Sequence, residues 1–420
     1  MTLMDKEKMQ DSGVEWIGVI PQGWRLDRLK DIVSLRDEKS TEKSEIEDYL
    51  ELEDLEQGTG RLLSIRSTAN VESAVMKFYK GDVLFGKLRP YLRKYHLATF
   101  DGKCTGEILA FQPEKIEPKF LLYFIASDGF IKVCTAMSYG AKMPRVNYPK
   151  QLALLPVCLP CTQEQQAITE YLDQQCGKLD AIIAIKQQQI KTLDALRQSV
   201  IYHAVTKGLD ASAPLVDSGV EWLGEIPQGW RLDRLKDIVS LRDEKSTEKS
   251  EIEDYLELED LEQGTGRLLS VRNTTNVGSA VIKFFKEDVL FGKLRPYLQK
   301  YHLATFDGKC TGEILAFKPE KIESKFLLYF IASDGFIKVC TAMSYGAKMP
   351  RVNYPKQLAL LPVCLPSSKE QQRIIDHLDQ ETQRLTALKA NLNQQISTLE
   401  AYKKSLIYEC VTGKKRINML

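Results

Sequence analysis

The sequence predicts an α+β protein in which two mixed α/β domains are joined by two long antiparallel coiled-coil helices, arranged as a pseudo-two-fold internal repeat. Three observations lead there. The phrase DSGVEWIGVIPQGWRLDRLK, beginning at Asp11, returns as DSGVEWLGEIPQGWRLDRLK from Asp217, an offset of 206 residues. The repeat falls into a nearly identical zone and a divergent zone. The divergent zones carry helical periodicity.

Across residues 11–160 and 217–366 there are 12 mismatches in 150 positions, whereas 161–205 and 367–411 differ at 25 of 45. A period this long excludes a solenoid and describes a duplicated domain with its connecting element. The expected organisation is a first domain over 1–160, a helix over 161–206, a linker over 207–216, a second domain over 217–366, a helix over 367–412 and a tail over 413–420. The stretch KGLDASAPLVDSG from Lys207 has the small-residue and proline content of a linker.

Residues 162–206 hold no proline and one glycine, Gly177. Their apolar positions, among them Leu172, Leu179, Ile182, Ile183, Ile190, Leu193, Leu196 and Val200, form a helical stripe. In the second copy Leu378, Leu385, Leu392, Leu399 and Leu406 fall seven apart, the spacing of a coiled-coil seam, with Leu388, Ile396 and Tyr402 widening it. Gln189 and Gln395 occupy equivalent seam positions, suited to fixing register or to solvated ends. Each helix would run roughly 65 Å. Each leaves its domain after PVCLP. A linker of some thirteen residues stretches only about 45 Å, too short for a parallel pair, so the helices are expected antiparallel.

Inside the near-identical zone LLSIRS, AVMKFY, DVLFGKL and GEILAFQP alternate like strands. The segment KFLLYFIASDGFIKVCTAMS, from Lys119, reads as a helix broken at Asp128–Gly129. Trp16, Trp24, Trp222 and Trp230, in turn-rich entries to each domain, are expected in packing.

Composition bounds function. Lysine plus arginine (58) nearly cancels aspartate plus glutamate (57), so any affinity for nucleic acid must come from local patches. No apolar run approaches the roughly 18 residues of a membrane span, and the charged N-terminus lacks a signal peptide's apolar stretch, so neither membrane attachment nor export is expected. Nine cysteines, an odd number, suit reduced thiols in the cytoplasm. The C-x-x-C of Cys158 and Cys161 becomes Cys364 and Ser367 in the second copy, which argues against a redox or zinc role.

The basic character is concentrated in FGKLRPYLRKYHLATFDGK, residues 85–103. Lys87, Arg89, Arg93, Lys94 and Lys103 face one acid, Asp101, with Tyr91, Tyr95 and His96 interleaved. Lys293, Arg295, Lys300 and Lys309 repeat the pattern, but Arg93 becomes Gln299. Arginine forks suit guanine edges and phosphates, and lysines supply point charges for a DNA backbone; the alternative is a solvated strand–loop–strand. A second segment, SYGAKMPRVNYP at 138–149, offers Lys142 and Arg145, repeated as Lys348 and Arg351, on an exposed loop. Residues 37–56 hold ten acids against Lys39 and Lys43 and are expected on a face turned from DNA or toward a partner, if not simply solvated. There is no phosphate loop, no dinucleotide glycine motif, no methyltransferase or nuclease motif, and no metal-ligand spacing among His96, His203, His302 and His377. Catalysis by this chain is not expected.

These phrases, together with FGKLRPYLRKYHLATFDGKCTGEIL and GAKMPRVNYPKQLALLPVCLPCTQEQQAI running into a long helix, resemble the specificity (S, HsdS) subunits of type I restriction–modification systems. The EQQ at Glu164–Gln166 and Glu370–Gln372 belongs to that resemblance. It implies two target-recognition domains, each reading half of a bipartite double-stranded DNA site, with the helices as a ruler between them. It implies two methyltransferase subunits, using S-adenosylmethionine to methylate adenine N6, and a translocase–nuclease subunit with ATP and Mg. Neither cofactor would be bound by this chain. Such subunits typically carry unlike recognition domains; here the two agree at 138 of 150 positions. Two like readers related by a two-fold axis should read two like half-sites as an inverted repeat. A protein scaffold with basic loops kept for solubility is the rival reading, and steep salt dependence of duplex binding would separate the two.

Overall fold

The computed structural model describes residues 9–43, 45, 48–247, 254–275, 277–278 and 280–417. The N-terminal residues 1–8, three positions of the acidic stretch (44, 46 and 47) and the tail residues 418–420 therefore lie outside the description.

The chain divides into two compact units, Met1–Lys186 with Gln394–Leu420, and Gln187–Asn393. The division cuts both long helices, Thr162–Lys207 and Ser368–Val411, near their middles. Each unit therefore joins one domain to the root of the helix that leaves it and to the tip of the helix from the other copy.

In the first unit one four-stranded sheet has the order Val33–Leu35, Ile108–Pro113, Val83–Gly86, Tyr95–Leu97, antiparallel throughout. A second runs Lys39–Ser40, Val75–Phe78, Gly102–Cys104, Tyr49–Leu50, with the last pair parallel. Arg25–Arg28 pairs with Pro156–Leu159, so the chain returns to its entry just before the long helix begins. The second unit repeats these registers.

The strand Val83–Gly86 is buried at every position because it is central in its sheet and covered on both faces. AVMKFY and GEILAFQP likewise contain strands, at Val75–Phe78 and Ile108–Pro113. LLSIRS does not. It makes only isolated bridges, Leu55 to Leu62 and Tyr49 to Arg66, which leave Leu63 63% exposed. The predicted helix break falls one residue early, at Ser127, whose extended backbone separates Pro118–Ala126 from Asp128–Met137 at 63°. The Ser127 hydroxyl accepts from Phe130 N and donates to Phe124 O, closing both helix ends locally. Phe120, Phe124 and Phe130 anchor this bent pair in the core.

Within the first unit, Asp180 pairs with Lys403 at 2.7 Å and Lys186 donates to Gln395. As one number rises the other falls, so the helices run antiparallel. Asp194 with Lys389, at 2.8 Å, continues that order inside the second unit. Leu172, Leu179, Leu378, Leu385 and Leu406 are buried, while Leu193, Leu392 and Leu399 are half-buried. Ile182, Leu196, Leu388 and Tyr402 are exposed, because two helices in contact cover only a narrow seam. The positions expected to widen the seam at Leu388 and Tyr402 face outward instead. Gln189 and Gln395 are also exposed.

At its tip each helix enters a core. Leu406, Ile407, Cys410 and Val411 pack with Ile17, Trp24 and Phe130 in the first unit. Ile201, Ala204 and Val205 pack with Leu223 and Phe336 in the second. Burying each of the larger aliphatic side chains contributes about 1.5–3 kcal/mol.

Candidate DNA-reading surface

Two segments some fifty residues apart meet in each domain. Beyond the strand Val83–Gly86, Lys87 N donates to Glu107 O and Val146 N donates to Lys87 O at 3.0 Å each. Arg89 N donates to Pro144 O at 2.7 Å, and the Arg89 guanidinium donates to Lys142 O at 3.2 Å. The loop carrying Lys142 is closed by reciprocal backbone bonds between Tyr139 and Arg145 at 2.9 Å. Gly140 makes this turn at φ +99, where an added Cβ would lie 3.2 Å from Met143 O. From behind, Gln151 accepts from Asn147 N at 2.9 Å and donates to Met137 O at 2.7 Å.

Arg89 itself has φ 49, in the left-handed region that side chains other than glycine rarely occupy. Arg295 has the same φ in the second copy. Such backbone costs about 1–3 kcal/mol and persists where its surroundings impose it. Here the Pro144 carbonyl and the short turn Pro90–Leu92 do so.

The structure thus gathers Lys87, Arg89, Lys142 and Arg145, and equally Lys293, Arg295, Lys348 and Arg351. Arg89 and Lys142 are exposed; Tyr139 and Met143 stand beside them at 57% and 47% exposure. Arg145 is held differently. Its guanidinium grips both Glu107 oxygens at 3.0–3.1 Å, which raises its pKa further and leaves it largely neutralised. Glu107 was not anticipated, since nothing in the sequence ties it to a residue 38 positions away.

Other predicted contacts point elsewhere. Arg93 is withdrawn from the surface: it pairs with Asp128 and its side chain is 17% exposed. In the second copy Gln299 takes that place and accepts from Gln198 at 3.3 Å, so this difference sits where a helix tip meets its domain. Lys94 and Lys300 donate to the Leu55 and Leu261 carbonyls. Lys103 is 3% exposed, with its ammonium on Glu42 O at 3.1 Å, and Lys309 is 2% exposed. These corrections share a cause. The basic run crosses the ends of three short strands and the turn Pro90–Leu92 between them, so several of its cations are packed against neighbouring carbonyls and Asp128.

The acidic stretch is not one bare face. Buried Asp54, despite the cost of burial, is held below the usual carboxylate range by Ser64, backbone and Arg66 bonds, and Arg66 also meets Glu51 and Glu53. Cys158 is buried, Cys161 is exposed, and both are unpaired. At Cys161's counterpart, Ser367 caps the second long helix by accepting from Glu370 N at 3.3 Å.

The middle residue of each EQQ run is structural. Gln165, 2% exposed, accepts from Glu117 N at 2.8 Å and donates to Pro160 O at 2.9 Å, fixing the helix root to its domain.

Each domain thus carries the same exposed basic tip and continues into a long helix. A family description, "Type I restriction modification DNA specificity domain", matches residues 21–195 and 227–398, and the chain belongs to that family of DNA sequence-recognition subunits. It is 25% identical over 338 residues to the Escherichia coli type I restriction enzyme EcoDI specificity subunit, covering 74% of each. It is 26% identical over 369 residues to the Methanocaldococcus jannaschii MjaVIII specificity subunit, covering 77% of this chain and 80% of that one. In fold it is similar to a chain from work on complex assembly and conformational transition of the type I R-M system. That match has a TM-score of 0.72 at 19% identity and covers 94% of this chain and 99% of that one. It is also similar to the HsdS subunit of Thermoanaerobacter tengcongensis, with a TM-score of 0.52 at 18% identity, covering 94% and 98%. Among the described residues no single helix is long and apolar enough to cross a membrane.

Proposed function

We propose that this chain reads a bipartite, inverted-repeat DNA site and holds two methyltransferase subunits over it for adenine N6 methylation. A restriction subunit joins for cleavage. S-adenosylmethionine belongs to the methyltransferase, and ATP with Mg to the restriction subunit. The observation that carries the symmetry is the identity of the two candidate surfaces. None of the 12 differing positions falls at Lys87, Arg89, Tyr139, Lys142, Met143 or Arg145. Like surfaces favour like half-sites, and two like half-sites read by a two-fold pair of readers form an inverted repeat. Helices of this length cap half-site separation near 19 bp.

The test is single-molecule sequencing of modified adenines in DNA from cells expressing this chain with its neighbouring methyltransferase. One inverted, bipartite motif is expected. An asymmetric motif would keep the reader but overturn the symmetry; no motif, with an active methyltransferase, would overturn the reading.

A further inference from the structure

In the second unit a pocket of 280 Å³ opens beside the basic tip. Four cations line it, Arg242, Lys245, Lys293 and Arg351, with one acid, Asp243, and the ring of Tyr345. Two of the cations are already neutralised. Arg242 lies on Asp288 at 2.9 and 3.0 Å, and Arg351 grips Glu313 at 2.9 and 3.1 Å. Among the described residues, neither Lys245 nor Lys293 has an ion-pair partner. Two positive charges therefore face one negative charge in the pocket wall.

The two lysines come from different sheets. Lys245 opens the edge strand Lys245–Ser246, in register with Ile282. Lys293 follows the strand Val289–Gly292, and its carbonyl accepts from Val352 N. The nearest acid of the Lys245 segment, Glu244, is engaged by Lys283 at 2.5 Å. Lys39 and Lys87 hold the same registers in the first unit, where Glu38 accepts from Tyr79 OH. The second copy of the acidic stretch expected to turn from DNA thus carries, at its third position, a lysine on the pocket beside the basic tip.

We propose that Lys39 with Lys87, and Lys245 with Lys293, are phosphate-positioning pairs. They seat one backbone phosphate of each half-site, while Arg89 and Lys142 face the bases. This rests on the DNA reading above and separates two roles within it. Ammonium groups at the junction of two sheets form a point-charge site, suited to a phosphodiester and indifferent to sequence. Base discrimination belongs to the exposed fork of Arg89.

The experiment compares the full chain with the K39A/K245A double variant on a duplex carrying the site and on a scrambled duplex, across a salt series. Removing two phosphate contacts should flatten the slope of log K against log salt by about 1.8. Binding should weaken equally on both duplexes, leaving their ratio unchanged, and K39R/K245R should restore the slope. An unchanged slope with intact binding overturns the site, as does a loss confined to the specific duplex. Inorganic phosphate at matched ionic strength forms a second arm. If it competes with the parent while the variant keeps the parental slope, the pocket holds a free anion and the backbone assignment fails. A parent that binds neither duplex overturns the DNA reading itself, and this site with it.

Discussion

The indole N–H of Trp24 donates to Glu164 Oε2 at 3.0 Å, and 206 residues later Trp230 donates to Glu370 Oε2 at 3.1 Å. Each bond ties the first turn of a long helix to the turn that opens its own domain. Gln165 and Gln371, which donate to the Pro160 and Pro366 carbonyls and accept from the Glu117 and Glu323 amides, complete the same latch. These bonds fix the root of each helix to its own domain.

Trp24→Phe keeps the ring but removes the donor, leaving the half-buried Glu164 carboxylate short of a partner. The expected cost is about 1.5–3 kcal/mol, read from the denaturant midpoint. Glu164→Gln keeps an acceptor and should cost less. Equal stability of all three chains would show that solvent substitutes for the indole.

The duplicated layout and the helices were legible because near-identity and periodicity are properties of the chain itself. Leu378 and Leu385 announce a buried seam by their spacing alone. Partnering was not legible. Lys103 and Lys142 look alike in sequence, yet one is buried against the Glu42 carbonyl and the other exposed at a loop tip. Glu107 and Lys39 matter only through contacts across the fold. The EQQ run stood out as a pattern, but its purpose needed Trp24 and Glu117 beside it.

Close packing at the helix tips rests on a glycine. An added Cβ at Gly335 would lie 2.7 Å from the Tyr202 ring and 3.1 Å from Trp222. At Gly129 the equivalent distances are 2.9 Å to Tyr408 and 2.8 Å to Trp16. Tyr202 OH also donates to Trp222 O at 2.9 Å, and Tyr408 OH to Trp16 O at 2.6 Å. Gly335→Ala should therefore cost about 1–3 kcal/mol through overpacking. Amide exchange should accelerate first over residues 199–207. Protection unchanged there would mean the rings yield freely.

Specificity should divide between Arg89 and its neighbours. Arg89→Ala with Arg295→Ala should relax base preference by about 1–3 kcal/mol at one position of each half-site. A single substitution should affect one half only, which competition binding with half-site variants resolves. Arg89→Lys keeps the charge but loses the fork, so it should retain affinity for scrambled duplex while losing preference. Unaltered preference in the alanine pair would remove this loop from the interface.

One difference between the copies carries backbone strain. Gly81 has φ 91, and its counterpart Glu287 holds φ 71 with a full side chain. Glu287→Gly should stabilise the second domain by up to about 1 kcal/mol, since the relieved left-handed strain is partly offset by glycine's greater freedom when unfolded. Gly81→Glu should destabilise the first domain by a similar amount. Thermal unfolding of the two reciprocal variants would check this, and shifts of the same sign would refute it.

His96 and His302 should contribute to the acid sensitivity of the fold. Each is 8% exposed, and Nδ1 donates to the carbonyl of Gly60 at 2.8 Å or Gly266 at 2.7 Å. Among the described residues, neither Nε2 has a hydrogen-bond partner. Burial lowers both pKa values, against an opposing contribution from the carbonyl. A proton at Nε2 would be a buried charge without a partner, so the folded chain holds the neutral ring while the unfolded chain takes the proton first. Stability from this source is therefore complete above the unfolded pKa near 6.5 and is lost as pH falls below it toward the depressed folded value. His96→Asn with His302→Asn keeps a donor for the glycine carbonyl and removes the titration. Between neutral pH and about pH 5 the variant's melting temperature should fall less than the parent's; parallel declines would place the acid sensitivity in the carboxylates instead.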